Sequence, residues 1–453
     1  MNKTRLLAIS AGQYNYKKEM NTVKSHIRYL NYGLLGLVTM LDELGVEVGM
    51  AQGDNYTPDE LIKRMDDAGL RIGDCDCILL SIPSYYSISW CADFCRTVRE
   101  VYGKRIVVGG RWVVDNNTEW VREKLVYVDL IIEGFGERKL AELFCPERAS
   151  EVADGATRCF GHLNYGLLMD YMLYQPSIEI SRGCGRGCSF CADAHNKRIM
   201  NKPISEVVAE LEYLDSTFGD YNFYLEAPHF NFNKSWCEEF AAAVAKRGKI
   251  IPWRCTTRVE SMPTEMIGML AKTGMKIIDI GLESASPTQL INMGKTKNPE
   301  KYLAKAVRIL EECHKRGVWV KFNILLFAGE TQETVRETVE WLTGYKHLIK
   351  GLGVSTLVYY KGAGELSNHL GKGASVPEGQ SVEENGYANL NLSDELPLAK
   401  AKEYALEISR LVMSARDYYD IKSISYFERG YTYEDFAREV SECDWRTLTF
   451  RVE

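Results

Sequence analysis

The feature that most constrains this chain is a short glycine-rich loop carrying three cysteines. Its sequence is Ser181-Arg182-Gly183-Cys184-Gly185-Arg186-Gly187-Cys188-Ser189-Phe190-Cys191, a C-x3-C-x2-C pattern directly after the strand-like run 177–180. Three sulfurs converge on one face only if the backbone curls between them, and glycine permits the positive φ angles that such a curl needs. Iron–sulfur clusters are held by cysteine thiolates. With three cysteines, one iron of a [4Fe–4S] cube is left without a protein ligand and open to a small molecule. The alternative is a structural zinc knuckle, which wants four ligands. His195 is then the candidate fourth, but no second C-x2-C or H-x3-H pair stands nearby.

The other cysteines do not form a framework. There are thirteen in all, scattered and odd in number, which argues against a secreted disulfide protein and for a reducing cytoplasm. Cys75, Cys77, Cys91 and Cys95 sit in or beside apolar runs and read as small buried hydrophobes. A formal charge of −7 argues against a general nucleic-acid binder. No apolar run reaches the ~18 residues of a spanning helix, so no membrane insertion is expected. The first residues lead into a strand-like run, not a signal peptide.

With 453 residues the chain has room for two or three domains. Strand-like runs at 5–10, 47–51, 77–82, 105–108 and 128–132 alternate with helix-like stretches at 32–44, 57–68 and 88–101. That alternation predicts a Rossmann-like, doubly wound parallel sheet over residues 1–144. Ligands of such sheets bind outside the carboxyl ends of the strands. The candidate contacts there are the Ser84-Tyr85-Tyr86-Ser87 turn, Gly109-Gly110-Arg111 and the Glu133-Gly134-Phe135-Gly136-Glu137 turn. No G-x-G-x-x-G follows the first strand, so a dinucleotide is a poor fit. Residues 145–175 read as a linker, with the Tyr-, Leu- and Met-rich stretch 165–174 crossing between domains.

Six further βα-like units follow between 176 and 360, with strands expected at 177–180, 222–225, 251–256, 276–281, 318–327 and 352–359. They predict an open six-unit barrel, whose chemistry belongs at the carboxyl ends of its strands. The rim there carries Glu226-Ala227-Pro228-His229, Thr256-Thr257-Arg258, Gly281-Leu282-Glu283-Ser284 and Leu326-Phe327-Ala328-Gly329-Glu330-Thr331, with Asn323 inside the fifth strand. Thr331 is placed to cap the next helix. Residues 361–453 lose the rhythm. The stretch 362–385 reads as a polar, Gly-rich cover and 396–416 as one amphipathic helix. The aromatic-rich remainder is a cap over the barrel mouth or packing against its side. The fold class is therefore α/β, with a small C-terminal α-rich region.

The cysteine loop, with Phe190 just before its last cysteine, resembles the signature of the radical S-adenosylmethionine (SAM) superfamily. The resemblance implies that Cys184, Cys188 and Cys191 hold a [4Fe–4S] cluster, with SAM on the open iron. One electron from the cluster then cleaves SAM, usually to a 5′-deoxyadenosyl radical. It further implies that Glu226, Arg258 and Glu283 position SAM, with Phe190 beside it. Ala227-Pro228 departs from the acidic or glycine pair usual in related enzymes, and Leu326 and Ala328 depart from a G-x-P-G-E-T turn. The G-x-E-S turn at Gly281–Ser284 is matched. The N-terminal half resembles the cobalamin-binding domain of one large radical SAM class, with Tyr85, Tyr86, Gly109, Gly110 and Gly134 as its contacts. It lacks the D-x-H-x-x-G that supplies a histidine to cobalt, so cobalamin would bind without one.

The class implies a methyltransferase acting on an unactivated carbon or phosphorus centre. Its partners would be a small-molecule or peptide substrate and an electron donor such as flavodoxin or ferredoxin. Two other readings stay open: a cobalamin-independent dehydration, epimerisation or rearrangement, and an iron–sulfur redox sensor.

Overall fold

A computed structural model describes residues 4–14, 23, 25–113, 117–191, 199–231, 233–362 and 364–452. The first five strands are β1 (Arg5–Ser10), β2 (Glu47–Gln52), β3 (Cys77–Ser81), β4 (Arg105–Gly109) and β5 (Leu130–Ile131). They pair in the order β2-β1-β3-β4-β5, all parallel. Chain order reverses between β1 and β3, and such a switch point is where open α/β sheets bind ligands. β5 is only two residues long, shorter than its apolar run suggests. Val128 is spent in a turn, its N–H donating to the Leu125 carbonyl.

The second sheet comprises β6 (Ser177–Glu179), β7 (Phe223–Glu226), β8 (Trp253–Arg258), β9 (Met275–Glu283), β10 (Trp319–Leu326) and β11 (Gly351–Thr356). All are parallel and lie side by side in chain order, with β6 and β11 as the edges, so the barrel is open on one flank. Helices such as Ile204–Phe218 and Pro299–Lys315 bury one face each against it, through Val207, Leu211 and Leu214 and through Ala306, Ile309 and Leu310.

The stretch between the sheets is a wedge. Tyr165 is fully buried, its hydroxyl accepts from the Ser177 N–H at 2.9 Å, and Phe218 meets its ring edge-on. Leu168 bridges to Met50 on β2. One continuous apolar core therefore runs from Leu35 and Val38 through Leu163 and Tyr165 to Leu225 and Ile278.

The C-terminal region closes the barrel floor. Lys350, just before β11, pairs with Asp417 at 2.8 Å and Asp420 at 2.7 Å, and Ser425 accepts from Arg254 near the start of β8 at 2.9 Å. Behind these contacts Tyr418, Phe427, Phe436 and Phe450 make their own core. The single helix expected over 396–416 is two, Leu398–Val412 and Ala415–Ser423. Met413 is extended, and Ser414 starts the second helix through a capping box with Asp417.

The stretch expected as a loose cover is also built. Val358–Tyr360 pairs antiparallel with Tyr387–Asn389, and short helices Leu366–Leu370 and Val382–Asn385 lie between them. Among the described residues no helix is long and apolar enough to cross a membrane.

Candidate active site at the facing strand ends

The cysteine loop leaves β6 and is bracketed by a two-residue antiparallel pair, Ser181–Arg182 with Met200–Asn201. Gly183 (φ 80°) and Gly185 (φ 67°) take the left-handed conformations that turn the chain around Cys184. Ser189 anchors the loop, its N–H and hydroxyl both donating to the Met293 carbonyl, at 3.3 and 3.1 Å. Cys184 and Cys188 are buried and Cys191 is half-buried. Phe190 meets Phe327, at the end of β10, edge-on at 6.2 Å. His195 lies outside the described residues.

Two rim residues reach the loop sulfurs. Arg258, the last residue of β8, donates from Nη1 to Cys188 Sγ at 2.7 Å. Its Nη2 donates to Glu260 Oε1 and to the Lys295 carbonyl, both at 3.3 Å. His229, after β7, lies 3.7 Å through Nδ1 from Cys184 Sγ and 2.7 Å through Nε2 from Ser261 Oγ. Burial foremost, then the charges of Arg258 and Arg186, pushes His229 down to about 4.

Glu283 closes β9 at φ 67°, a strained angle for a residue with a side chain, at an irregularity in the pairing with β10. Its carboxylate accepts from the buried Lys295 Nζ at 2.9 Å. Gly281 leaves the space that carboxylate occupies, and Tyr302 steadies the turn by donating to the Gly281 and Leu282 carbonyls at 3.0 and 3.2 Å. In the neighbouring turn Glu330 accepts from the Phe327 N–H at 3.1 Å and from Thr334 Oγ1 at 2.7 Å, while Thr331 caps the following helix.

Glu226 ends β7 and accepts from Ser177 Oγ at 3.0 Å. Burial is the main reason its carboxyl is pushed up to about 7. Tyr32, the first residue of the helix behind β1, stands in the field of Glu226, Glu179, Arg111 and Arg182, and its phenol is raised chiefly by burial. Deeper in the barrel, Arg254 donates to Asp279 Oδ2 at 2.6 and 3.0 Å, and Lys321 donates to Asp279 Oδ1 at 2.9 Å and Asn323 Oδ1 at 3.1 Å.

Across from this rim lies the switch point of the first sheet. Asn31 donates from Nδ2 to Ser10 Oγ at 2.9 Å and Ser81 Oγ at 3.2 Å, tying β1 to β3. Gly110 sits at φ 117°, so close to Ile82 that a Cβ would lie 2.7 Å from the Ile82 nitrogen. Gly109 is half-buried, and Gly134 (φ 70°) faces open space.

Tyr85 and Tyr86, expected to cover a cofactor face, are instead taken up in packing. Tyr85 is 2% exposed, stacked on Tyr360 at 5.8 Å, and its hydroxyl accepts from Asn117 at 2.5 Å and donates to the Lys361 carbonyl. Tyr86 meets Tyr387 edge-on at 4.4 Å. No sequence spacing announces this, because the hairpin that covers them lies almost three hundred residues downstream.

The residues present fit an iron–sulfur cluster. Cys184 and Cys188 are buried on one loop, and Arg258 Nη1 lies 2.7 Å from Cys188 Sγ. A guanidinium buried against sulfur is compensated when that sulfur is anionic, as cluster ligation makes it. Of the three glycines expected to meet a flat ring, only Gly134 faces open space; the Cβ positions of Gly109 and Gly110 lie against the Ile132 carbonyl and the Ile82 backbone, so those two glycines serve packing within the sheet.

Comparison with known proteins gives consistent results. Residues 178–342 match the Radical SAM superfamily. A methyltransferase of Pyrococcus horikoshii, itself uncharacterised, is 25% identical over 167 residues, 36% of each chain. The ribosomal protein uS12 methylthiotransferase RimO of Ectopseudomonas mendocina is 25% identical over 182 residues, 37% of this chain and 41% of that protein. The chain thus spans well under half the length of these curated relatives. Among solved structures, the radical SAM methyltransferase TsrM of Kitasatospora setae, with cobalamin and a [4Fe–4S] cluster bound, superposes with a TM-score of 0.59 at 18% identity, over 78% of this chain and 72% of that one. The cobalamin-dependent SAM radical enzyme OxsB, with aqua-cobalamin bound, gives 0.58 at 15% identity, over 82% and 55%. These likenesses establish a shared two-sheet fold.

Proposed function

With residues 178–342 a radical SAM domain, we propose that the chain is a cobalamin-dependent radical SAM methyltransferase acting on an unactivated carbon or phosphorus centre. The observation that carries this reading is the convergence of the two sheets. The turn after β5 and the chain leaving β6 are tied at their carboxyl ends by the buried Arg182 Nη1–Glu137 Oε1 ion pair at 2.6 Å.

Bound there, the cluster with SAM would supply one-electron cleavage and hydrogen-atom abstraction, and cobalamin the methyl group. Cys184, Cys188 and Cys191 would hold the cluster. Glu283, held at φ 67° and paired with Lys295, would accept from a hydroxyl or ammonium of SAM. Glu226, half-buried at the end of β7 with its carboxyl pushed up to about 7, would hold a proton or orient a substrate. Gly134, which faces open space at the end of β5, would let a corrin approach the backbone. The buried wedge around Tyr165 and the floor made by the C-terminal helices keep bulk water from the barrel interior. An electron donor such as flavodoxin or ferredoxin, a small-molecule or peptide substrate and a cytoplasmic setting complete the reading.

Equilibrium dialysis with hydroxocobalamin tests it. Near-stoichiometric retention, with S-adenosylhomocysteine formed on turnover, is the expected result. The commitment of Tyr85 and Tyr86 to packing favours a second reading, a cobalamin-free radical transformation. No retention, with 5′-deoxyadenosine formed but no S-adenosylhomocysteine, would select it.

A further inference from the structure

Two side chains from different strand ends each contact a different loop sulfur. Arg258 comes from β8 and touches Cys188 at 2.7 Å, while His229 comes from the turn after β7 and approaches Cys184 at 3.7 Å. Both are nearly inaccessible, 8% and 2% exposed. Each is also fixed from behind. The Arg258 fork is held by Glu260 and the Lys295 carbonyl, and the Glu260 carbonyl in turn accepts from Lys305 Nζ at 2.8 Å. His229 is held by Ser261. The sulfur contact of Arg258 is shorter than its contact with the Glu260 carboxylate, 2.7 against 3.3 Å. The guanidinium is therefore aimed at Cys188 first.

We propose that Arg258, seconded by His229, is a positioning residue for the cluster's electrons. It donates to a cluster thiolate and raises the reduction potential, instead of binding SAM. An arginine keeps its charge at every accessible pH. Hydrogen bonds to cluster sulfurs, local charge and burial set the potentials of such clusters. Reduction adds one negative charge to the cluster. A permanent cation with an N–H on one of its sulfurs stabilises the reduced state more than the oxidised one. The rim would thus divide its labour: Glu283, paired with Lys295, would serve SAM, while Arg258 and His229 contact the sulfurs. The proposal rests on the reading that Cys184, Cys188 and Cys191 hold a cluster.

The test is an EPR-monitored redox titration without SAM, on reconstituted wild type, Arg258→Met, Arg258→Lys and His229→Gln, each with its iron content measured. Arg258→Met should shift the reduction equilibrium at least tenfold toward the oxidised cluster, ~59 mV for one electron. Arg258→Lys, which keeps the charge but loses the fork, and His229→Gln should shift it the same way by less. SAM affinity of the oxidised cluster should stay within about twofold in Arg258→Lys. If Arg258→Met fails to assemble a cluster, Arg258→Lys decides alone. An unmoved midpoint at full iron content, or a loss of SAM affinity without a change in midpoint, overturns the proposal. A wild type that takes up no cluster would instead overturn the reading beneath it.

Discussion

Arg182 Nη1 lies 2.6 Å from Glu137 Oε1, a buried ion pair that joins the turn after β5 to the strand leading into the cysteine loop. The same guanidinium donates from Nε and Nη2 to Glu179 at 2.7 and 3.1 Å and packs over the Phe160 ring at 4.3 Å. One side chain thus holds the first sheet, the linker and the barrel together, two residues from Cys184.

Arg182→Met should therefore be among the most damaging single changes outside the cysteines. It leaves two buried carboxylates without their cation, a loss of about 3–5 kcal/mol. Differential scanning calorimetry should show a lowered transition, while Arg138→Met, on an exposed pair in the same helix as Glu137, should leave it nearly unchanged.

Glu226 supplies a pH test. Its carboxyl is raised from 4.5 to about 7 in the folded chain, mainly by burial. A raised folded value means that the contribution to stability is complete below the unfolded value and lost as pH climbs through the folded one. Wild type should lose stability relative to Glu226→Gln between about pH 4.5 and 7, by up to about 3 kcal/mol. Urea titrations of both proteins at a series of pH values measure the difference. A difference independent of pH would mean that folding leaves the Glu226 carboxyl at its unfolded value.

Glu283→Gln should weaken SAM binding while leaving the cluster in place. Losing a charge-assisted hydrogen bond costs ~1.5–3 kcal/mol, or roughly ten- to hundredfold in affinity. Isothermal titration of the reconstituted variant reads it directly. Wild-type affinity would leave the Lys295 pair as the whole purpose of Glu283.

Gly110→Ala tests the first sheet. The left-handed φ of 117° and the nearby Ile82 backbone leave no room for a Cβ. The variant should lose ~1–3 kcal/mol of stability, and its cobalamin retention in dialysis should fall. Gly73→Ala, where a Cβ meets nothing, should change neither.

Much of the architecture is legible in sequence because its signals are local. The helix Ile204–Phe218 and strand β1 fall where periodicity places them. The capping box Ser414-x-x-Asp417 would have revealed the helix break that continuous apolar spacing concealed. The cysteine loop and the rim turns are also local patterns. What could not be read are contacts between distant strand ends. Arg258 on Cys188 depends on how separate strands of the barrel are arranged, and Lys295 on Glu283 on how the short helix Pro287–Asn292 returns the chain to the end of β9, not on any motif. Tyr85 misleads for the same reason. It stands at a strand end where a ligand would lie, but its ring packs on Tyr360.

The most direct measurement is 5′-deoxyadenosine produced from SAM by anaerobically reconstituted, reduced protein, read by mass spectrometry beside the Cys184→Ala, Cys188→Ala, Cys191→Ala triple variant. The account predicts product from wild type, with none from the triple variant and its iron lost. Iron retained at wild-type level by the triple variant, or no 5′-deoxyadenosine from a cluster-loaded wild type, would contradict it.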